Sequence, residues 1–229
     1  MDIRRKLAVE FIGTFFLVFT VGLASRSASS LAPLAIGAVL MVMVFAGAHV
    51  SGGHYNPAVS TAVFLRGKMA RREYIPYVAT QVVAGVVAAL VVIALGYHRA
   101  TAIPTAGIGS MLVVEFLFTF ALAYVVLNVA TARGTEGNSF YGLAIGFTLA
   151  TGAFAAGSIS GGAFNPAVAV GASLMGMFSW SHIWIYFVAS LLGGAAAAGA
   201  FLLTEPAAKP TELRPAEPRK SFEPPARAA

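Results

Sequence analysis

The sequence predicts an all-α membrane protein of six transmembrane helices plus two re-entrant half-helices, built as an inverted repeat. Three observations lead there. Composition is the first: 58% of the 229 residues are hydrophobic and 10% are charged, where a soluble domain carries about 25% charge. The second is a set of six apolar runs, each long enough to cross a bilayer. The third is a nine-residue phrase that occurs twice, Ser51-Gly-Gly-His-Tyr-Asn-Pro-Ala-Val59 and Ser160-Gly-Gly-Ala-Phe-Asn-Pro-Ala-Val168, each time in a short break between apolar runs.

The runs cover residues 7–24, 31–50, 76–96, 111–132, 140–157 and 180–203. As helices they span the ~30 Å of a hydrocarbon core. The first follows Arg4-Arg5-Lys6 but has no clear small-residue cleavage site and precedes five more runs. It reads as a retained span, not a signal peptide.

Within each phrase, Asn-Pro marks a helix start, since Asn is a favoured N-cap and Pro suits the first helical position. An Asn that caps its own helix through the side-chain oxygen keeps its NH₂ as a fixed donor, free to face a solute. From average residue usage, one Asn-Pro-Ala in a chain of this length is expected by chance at roughly a few per cent; two copies inside one longer phrase indicate architecture. Residues 57–66 and 166–177 follow the two copies. Each makes a helix of roughly 15 to 18 Å, half a bilayer. Non-helical backbone at membrane depth is tolerated only within protein or beside a water-filled cavity, so the Ser-Gly-Gly stretches predict such a cavity.

The duplication extends further, because Glu10-Phe-Ile-Gly-Thr-Phe15 resembles Glu115-Phe-Leu-Phe-Thr-Phe120. Residues 1–203 then form one domain, with repeat one at about 5–97 and repeat two at about 110–203. Three spans per half oblige the second half to enter the membrane from the opposite side, which inverts the repeat. The half-helices meet tip to tip near the middle.

Lysines and arginines give the orientation. Arg4, Arg5, Lys6, Arg66, Lys68, Arg71, Arg72, Arg133 and the basic residues of the C-terminal tail fall on one side, and Arg26 and Arg99 on the other. Both termini are therefore expected in the cytoplasm. Trp180 and Trp184 open the sixth span as interfacial anchors. Residues 204–229 hold six of the eleven prolines among charges of both signs, a composition that predicts a disordered tail.

The net charge of +6 is explained by topology rather than by nucleic acid. The chain has no cysteine, so disulfides and thiol chemistry are excluded. No metal-ligand spacing, paired carboxylate site or Ser/His/Asp set occurs, and neither an enzyme nor a cofactor is expected.

The duplicated Asn-Pro-Ala boxes on six spans, with a Glu near the start of spans one and four, resemble the major intrinsic proteins, the aquaporins and glycerol facilitators. The segment Gly47-Ala-His-Val-Ser-Gly-Gly-His-Tyr-Asn-Pro-Ala-Val59 is similar to that family's first pore loop almost residue for residue, and the resemblance covers about residues 5–203. It implies a homotetramer in the lipid bilayer with one pore per subunit, here in a bacterial inner membrane. It places Asn56, Pro57, Ala58, Asn165, Pro166 and Ala167 at the pore midplane. Glu10, Glu115, His49 and His54 then support the pore loops. Two half-helix dipoles aimed at the lumen centre repel cations and protons.

The outer filter departs from the family. Where most members have an Arg after the second Asn-Pro-Ala stands Val168, and the companion positions are Ile36, Ala153 and Gly162. An Arg would bring a charge and five donors. Without it the expectation is a wider, less polar filter that passes water and small neutral solutes such as glycerol, urea or metalloid hydroxides, arsenicals included. Subtype markers diverge: Ala169 replaces the glycerol-facilitator Asp, while Tyr186-Phe187 resembles the water-channel side. Alternatives are a strict water channel, a coupled secondary transporter of a small solute using Glu10 and Glu115, or a structural protein with a closed pore.

Overall fold

The computed structural model describes residues 2–26, 29–97 and 106–205. Among them stand eight α-helices: α1 Ile3–Ala24, α2 Ala32–Ser51, α3 Pro57–Leu65, α4 Arg71–Ala94, α5 Ile108–Thr131, α6 Tyr141–Ser160, α7 Pro166–Leu174 and α8 Ile183–Thr204. No strand occurs among the described residues. Six of these helices have the length and hydropathy of membrane spans. The other two, α3 and α7, have nine residues each and reach only about 13 Å.

Boundaries differ from the hydropathy reading where polar residues extend a helix. The third span starts at Arg71, not residue 76, because Arg71, Arg72 and Glu73 form a polar first turn ahead of Pro76. Lys6 of α1 pairs with Glu73 there at 2.9 Å. Both half-helices end sooner than expected. Gly67 and Gly176 each stand eleven residues after the capping Asn and take φ of 79° and 73°. Lys68 and Met177 then donate backward to the Val63 and Ala172 carbonyls at 3.0 and 2.8 Å, a Schellman stop that needs a left-handed residue.

Packing follows the duplication. Helix α1 lies against α2 and α4 as α5 lies against α6 and α8, and each half-helix packs into the other half, α3 on α8 and α7 on α4. The pairs α2–α6 and α3–α7 sit where the halves meet. Small residues permit these contacts, as expected where lipid offers helices no hydrophobic drive to associate. A Cβ on Gly37 would stand 2.5 Å from the Gly146 carbonyl oxygen, and one on Gly146 would stand 2.5 Å from that of Gly37. A Cβ on Gly85 would stand 2.7 Å from the Ala167 carbonyl oxygen beside the second half-helix. Gly85→Ala is expected to lower stability by about 1–3 kcal/mol through overpacking, read as a lower midpoint of thermal unfolding in detergent. Large apolar side chains instead face outward, among them Ile12, Phe16, Val83, Leu117 and Leu192.

One end of the bundle gathers the basic residues. Lys6 meets Glu73, Arg66 meets Glu205 at 2.6 Å, and Lys68 and Arg133 line the same opening. Arg26 stands at the opposite end, its guanidinium 3.5 Å from the Met175 carbonyl oxygen. Thr204 continues the last helix and Glu205 is paired, so those two residues are ordered parts of the bundle. Arg99 and residues 206–229 of the expected tail lie outside the described residues.

Candidate permeation site

Two loops, residues 52–55 and 161–164, carry the chain from α2 and α6 to the half-helix tips. Each is tied to a buried glutamate of its own half. Glu10 accepts from the Ser51 hydroxyl at 2.7 Å, from the His54 and Tyr55 N–H groups at 3.0 and 2.8 Å, and from the Gln81 amide at 2.8 Å. Glu115 accepts from Ser160 at 2.6 Å and from the Ala163 and Phe164 N–H groups at 3.0 and 2.7 Å. Both carboxylates are 0% exposed. A buried carboxylate is tolerable when its oxygens are met by donors, and here the loop N–H groups supply two for each glutamate and helix side chains the rest. Tyr77 and Tyr186 complete the support by donating to the Ser51 and Ser160 carbonyls at 2.8 and 2.6 Å.

These bonds hold Tyr55 and Phe164 at φ of 50° and 46°, a left-handed conformation that costs a residue with a Cβ about 1–3 kcal/mol. The turn sets up the next residue. Asn56 caps α3 by accepting from the Ala58 N–H at 2.8 Å, and Asn165 caps α7 by accepting from Ala167 at 2.9 Å. The capping pattern alone predicts a free amide nitrogen on each asparagine, but both are engaged. Asn56 Nδ2 donates to the Phe164 carbonyl and Asn165 Nδ2 to the Tyr55 carbonyl, both at 2.9 Å. Each NH₂ has two hydrogens, so one remains for the lumen.

A cavity of about 50 Å³ passes these tips. It is lined by Asn56 and Asn165, by all four positions assigned to the filter (Ile36, Ala153, Gly162 and Val168), and by aliphatic side chains such as Leu40 and Leu149. No Asp, Glu, Lys or Arg of the described residues lines it. The volume exceeds the ~10–15 Å³ that one water requires. A second, more polar cavity of about 610 Å³ opens at the basic end and shares His54 and Val126 with the first. His54 sits at this junction, with Nδ1 3.1 Å from the Ser60 hydroxyl. His49, expected to support the loop, is instead exposed on the wall of the larger cavity.

An aromatic residue outside the spacing-based set also lines the cavity. Phe178, together with Met177, lines the small cavity at its other end. Its ring stacks on Tyr186 at 4.6 Å and 6°. Of the two rings that stand nearest in sequence to the filter, Phe154 is 54% exposed and Phe164 is turned onto Phe118 at 5.3 Å; neither lines the cavity. The sequence signal for Phe178 is weak, since it lies beyond the duplicated phrase in a non-helical segment.

Comparison with known proteins agrees with this geometry. The model of the family described as major intrinsic protein matches residues 1–201. A glycerol uptake facilitator protein-like 6 from Lactiplantibacillus plantarum is 36% identical over 85% of this chain and 95% of its own length. Aquaporin NIP1-1 of Zea mays is 33% identical over 90% of this chain and 77% of its own. An aquaglyceroporin structure from Plasmodium falciparum shares the fold with a TM-score of 0.76 at 20% identity, covering 87% of this chain and 96% of that one. With the family model matched almost end to end over the six spans and both asparagine-capped tips, the chain belongs to the major intrinsic protein family.

Proposed function

We propose that the protein is a passive transmembrane channel for water and small uncharged solutes such as glycerol, urea or metalloid hydroxides. The observation that carries this reading is the uncharged, mostly aliphatic cavity with two fixed asparagine amides at its waist. A permeant oxygen that receives hydrogen bonds from both amides is held as an acceptor there, which interrupts proton passage along a file. Further acceptors come from the loops. The N–H groups of His54, Tyr55, Ala163 and Phe164 are spent on Glu10 and Glu115 and those of Gly53 and Gly162 on the serine hydroxyls, and among the described residues no donor reaches the carbonyl oxygens of Gly53, His54, Gly162 or Ala163. Buried carbonyls need partners, and permeating hydroxyls supply them.

Coupled transport needs an ionisable group on the pathway. Neither glutamate lines the cavity, and both are engaged by buried donors; the one titratable side chain in the lining is His54, which stands within hydrogen-bond distance of the Ser60 hydroxyl. The family supports assembly as a homotetramer. Grouping of Lys6, Arg66, Lys68 and Arg133 at one end supports termini on the cytoplasmic face of a bacterial inner membrane.

Stopped-flow light scattering on proteoliposomes with an osmolyte panel tests the reading. Wild type is expected to pass water and glycerol faster than empty liposomes, with no dependence on proton or sodium gradients. In Val168→Arg, glycerol and urea flux are expected to fall at least ~10-fold relative to water, equivalent to about 1.4 kcal/mol of added barrier. A wild type that excludes glycerol and urea as tightly as it passes water refutes the open filter. Uphill accumulation of solute refutes the channel.

A further inference from the structure

The two halves of the lumen differ in a way that the duplicated phrase conceals. Tyr77 and Tyr186 are counterparts, each donating to the carbonyl of the serine that opens its phrase. Each also carries a second ring. On Tyr77 it is His54, with centroids 5.4 Å apart. The counterpart of His54 is Ala163, which has no ring, and Tyr186 is covered by Phe178. Phe178 arrives from outside the phrase, delivered by the left-handed turn at Gly176 and the backward bond from Met177 to Ala172. A Cβ on Gly161 would collide with the Phe178 ring, so ring and loop backbone are already in contact.

The rest of that end of the lumen is small or aliphatic, with Ile36, Ala153, Gly162 and Val168. The largest side chain there is therefore Phe178, held flat against Tyr186 at 6°. One face of the ring is stacked on Tyr186 and its edge abuts Gly161, and these two contacts restrict its rotation.

We propose that Phe178 is a specificity-determining residue that sets the upper size of solute admitted at this end of the channel. The inference rests on the channel reading above. Phe178 replaces, from the loop after α7, the bulk that the filter positions lack. It does so without adding charge or donors, so it selects by cross-section and leaves the hydroxyl pattern of the solute to the loop carbonyls.

The test compares wild type, Phe178→Ala, Phe178→Leu and the control Phe154→Ala, an exposed ring outside the cavity, in proteoliposomes, using the three-, four- and five-carbon polyols glycerol, erythritol and xylitol. Phe178→Ala is expected to raise erythritol and xylitol flux relative to glycerol at least ~5-fold, with Phe178→Leu between it and wild type and Phe154→Ala equal to wild type. Since Leu keeps most of the buried apolar volume, an ordered series separates pore size from misfolding. Equal polyol ratios in wild type and both Phe178 variants overturn the inference while leaving the channel intact. A wild type no faster than empty liposomes overturns the channel reading itself, and the inference with it.

Discussion

Glu10→Ala is expected to be among the most damaging single substitutions in the chain. It removes the acceptor of four buried donors, from Ser51, His54, Tyr55 and Gln81. A donor left unsatisfied in a buried site costs about 1–3 kcal/mol. Glu10 is fully buried, and Tyr55 would also lose the bond that holds it left-handed. A total destabilisation of about 4 kcal/mol is expected even if half the donors find new partners. Thermal unfolding in detergent would then shift down by roughly 10 °C, given ~2–4 °C per kcal/mol for a chain of this size. Glu115→Ala leaves three donors, from Ser160, Ala163 and Phe164, because the counterpart of Gln81 is Ser190, whose hydroxyl has no protein partner. It should therefore be the milder of the two. Equal midpoints for the two variants would show that the donor count does not set the cost.

The second large effect is expected at the asparagines. Asn165→Ala loses the cap of α7, about 1 kcal/mol, and strips the Tyr55 carbonyl of its donor, a further ~1–3 kcal/mol. About 3 kcal/mol of stability should go, and water flux should fall at least tenfold as the tips separate. Asn56→Ala does the same to α3 and the Phe164 carbonyl. Since each amide fixes the residue that precedes the other Asn, the two losses overlap. The double variant is expected to be less destabilised than the sum by 0.5 kcal/mol or more, as for contacting residues in one network. Strict additivity in that cycle would mean that the two loops are held independently.

The spans and both half-helix starts were legible in the sequence because they depend on local rules: continuous hydropathy for the spans, and Asn-Pro for the caps. The half-helix ends were read less well: apolar character carried them to residues 66 and 177, past the observed Leu65 and Leu174, because the stops are set by the left-handed turns at Gly67 and Gly176. The use of each asparagine NH₂ on the opposite loop was not legible. Its acceptor lies 108 or 110 residues away, and no local pattern reports such a bond. Phe178 escaped for a related reason. Its place depends on what Ala163 fails to fill beside Tyr186, a vacancy that exists only once both halves are assembled.

The crossed asparagine bonds carry a consequence for how such a chain can arise. Each pore loop is closed by a donor from the other half, and each half-helix is packed against the other half's spans. Half of this polypeptide alone would leave a buried carbonyl without a donor and a half-helix without a groove. It could complete the arrangement only by meeting a second copy inserted upside down in the same bilayer. In geometric terms the protein is an antiparallel dimer joined by one covalent linker, and its two subunits have kept the clasp while diverging at positions such as His54 and Ala163.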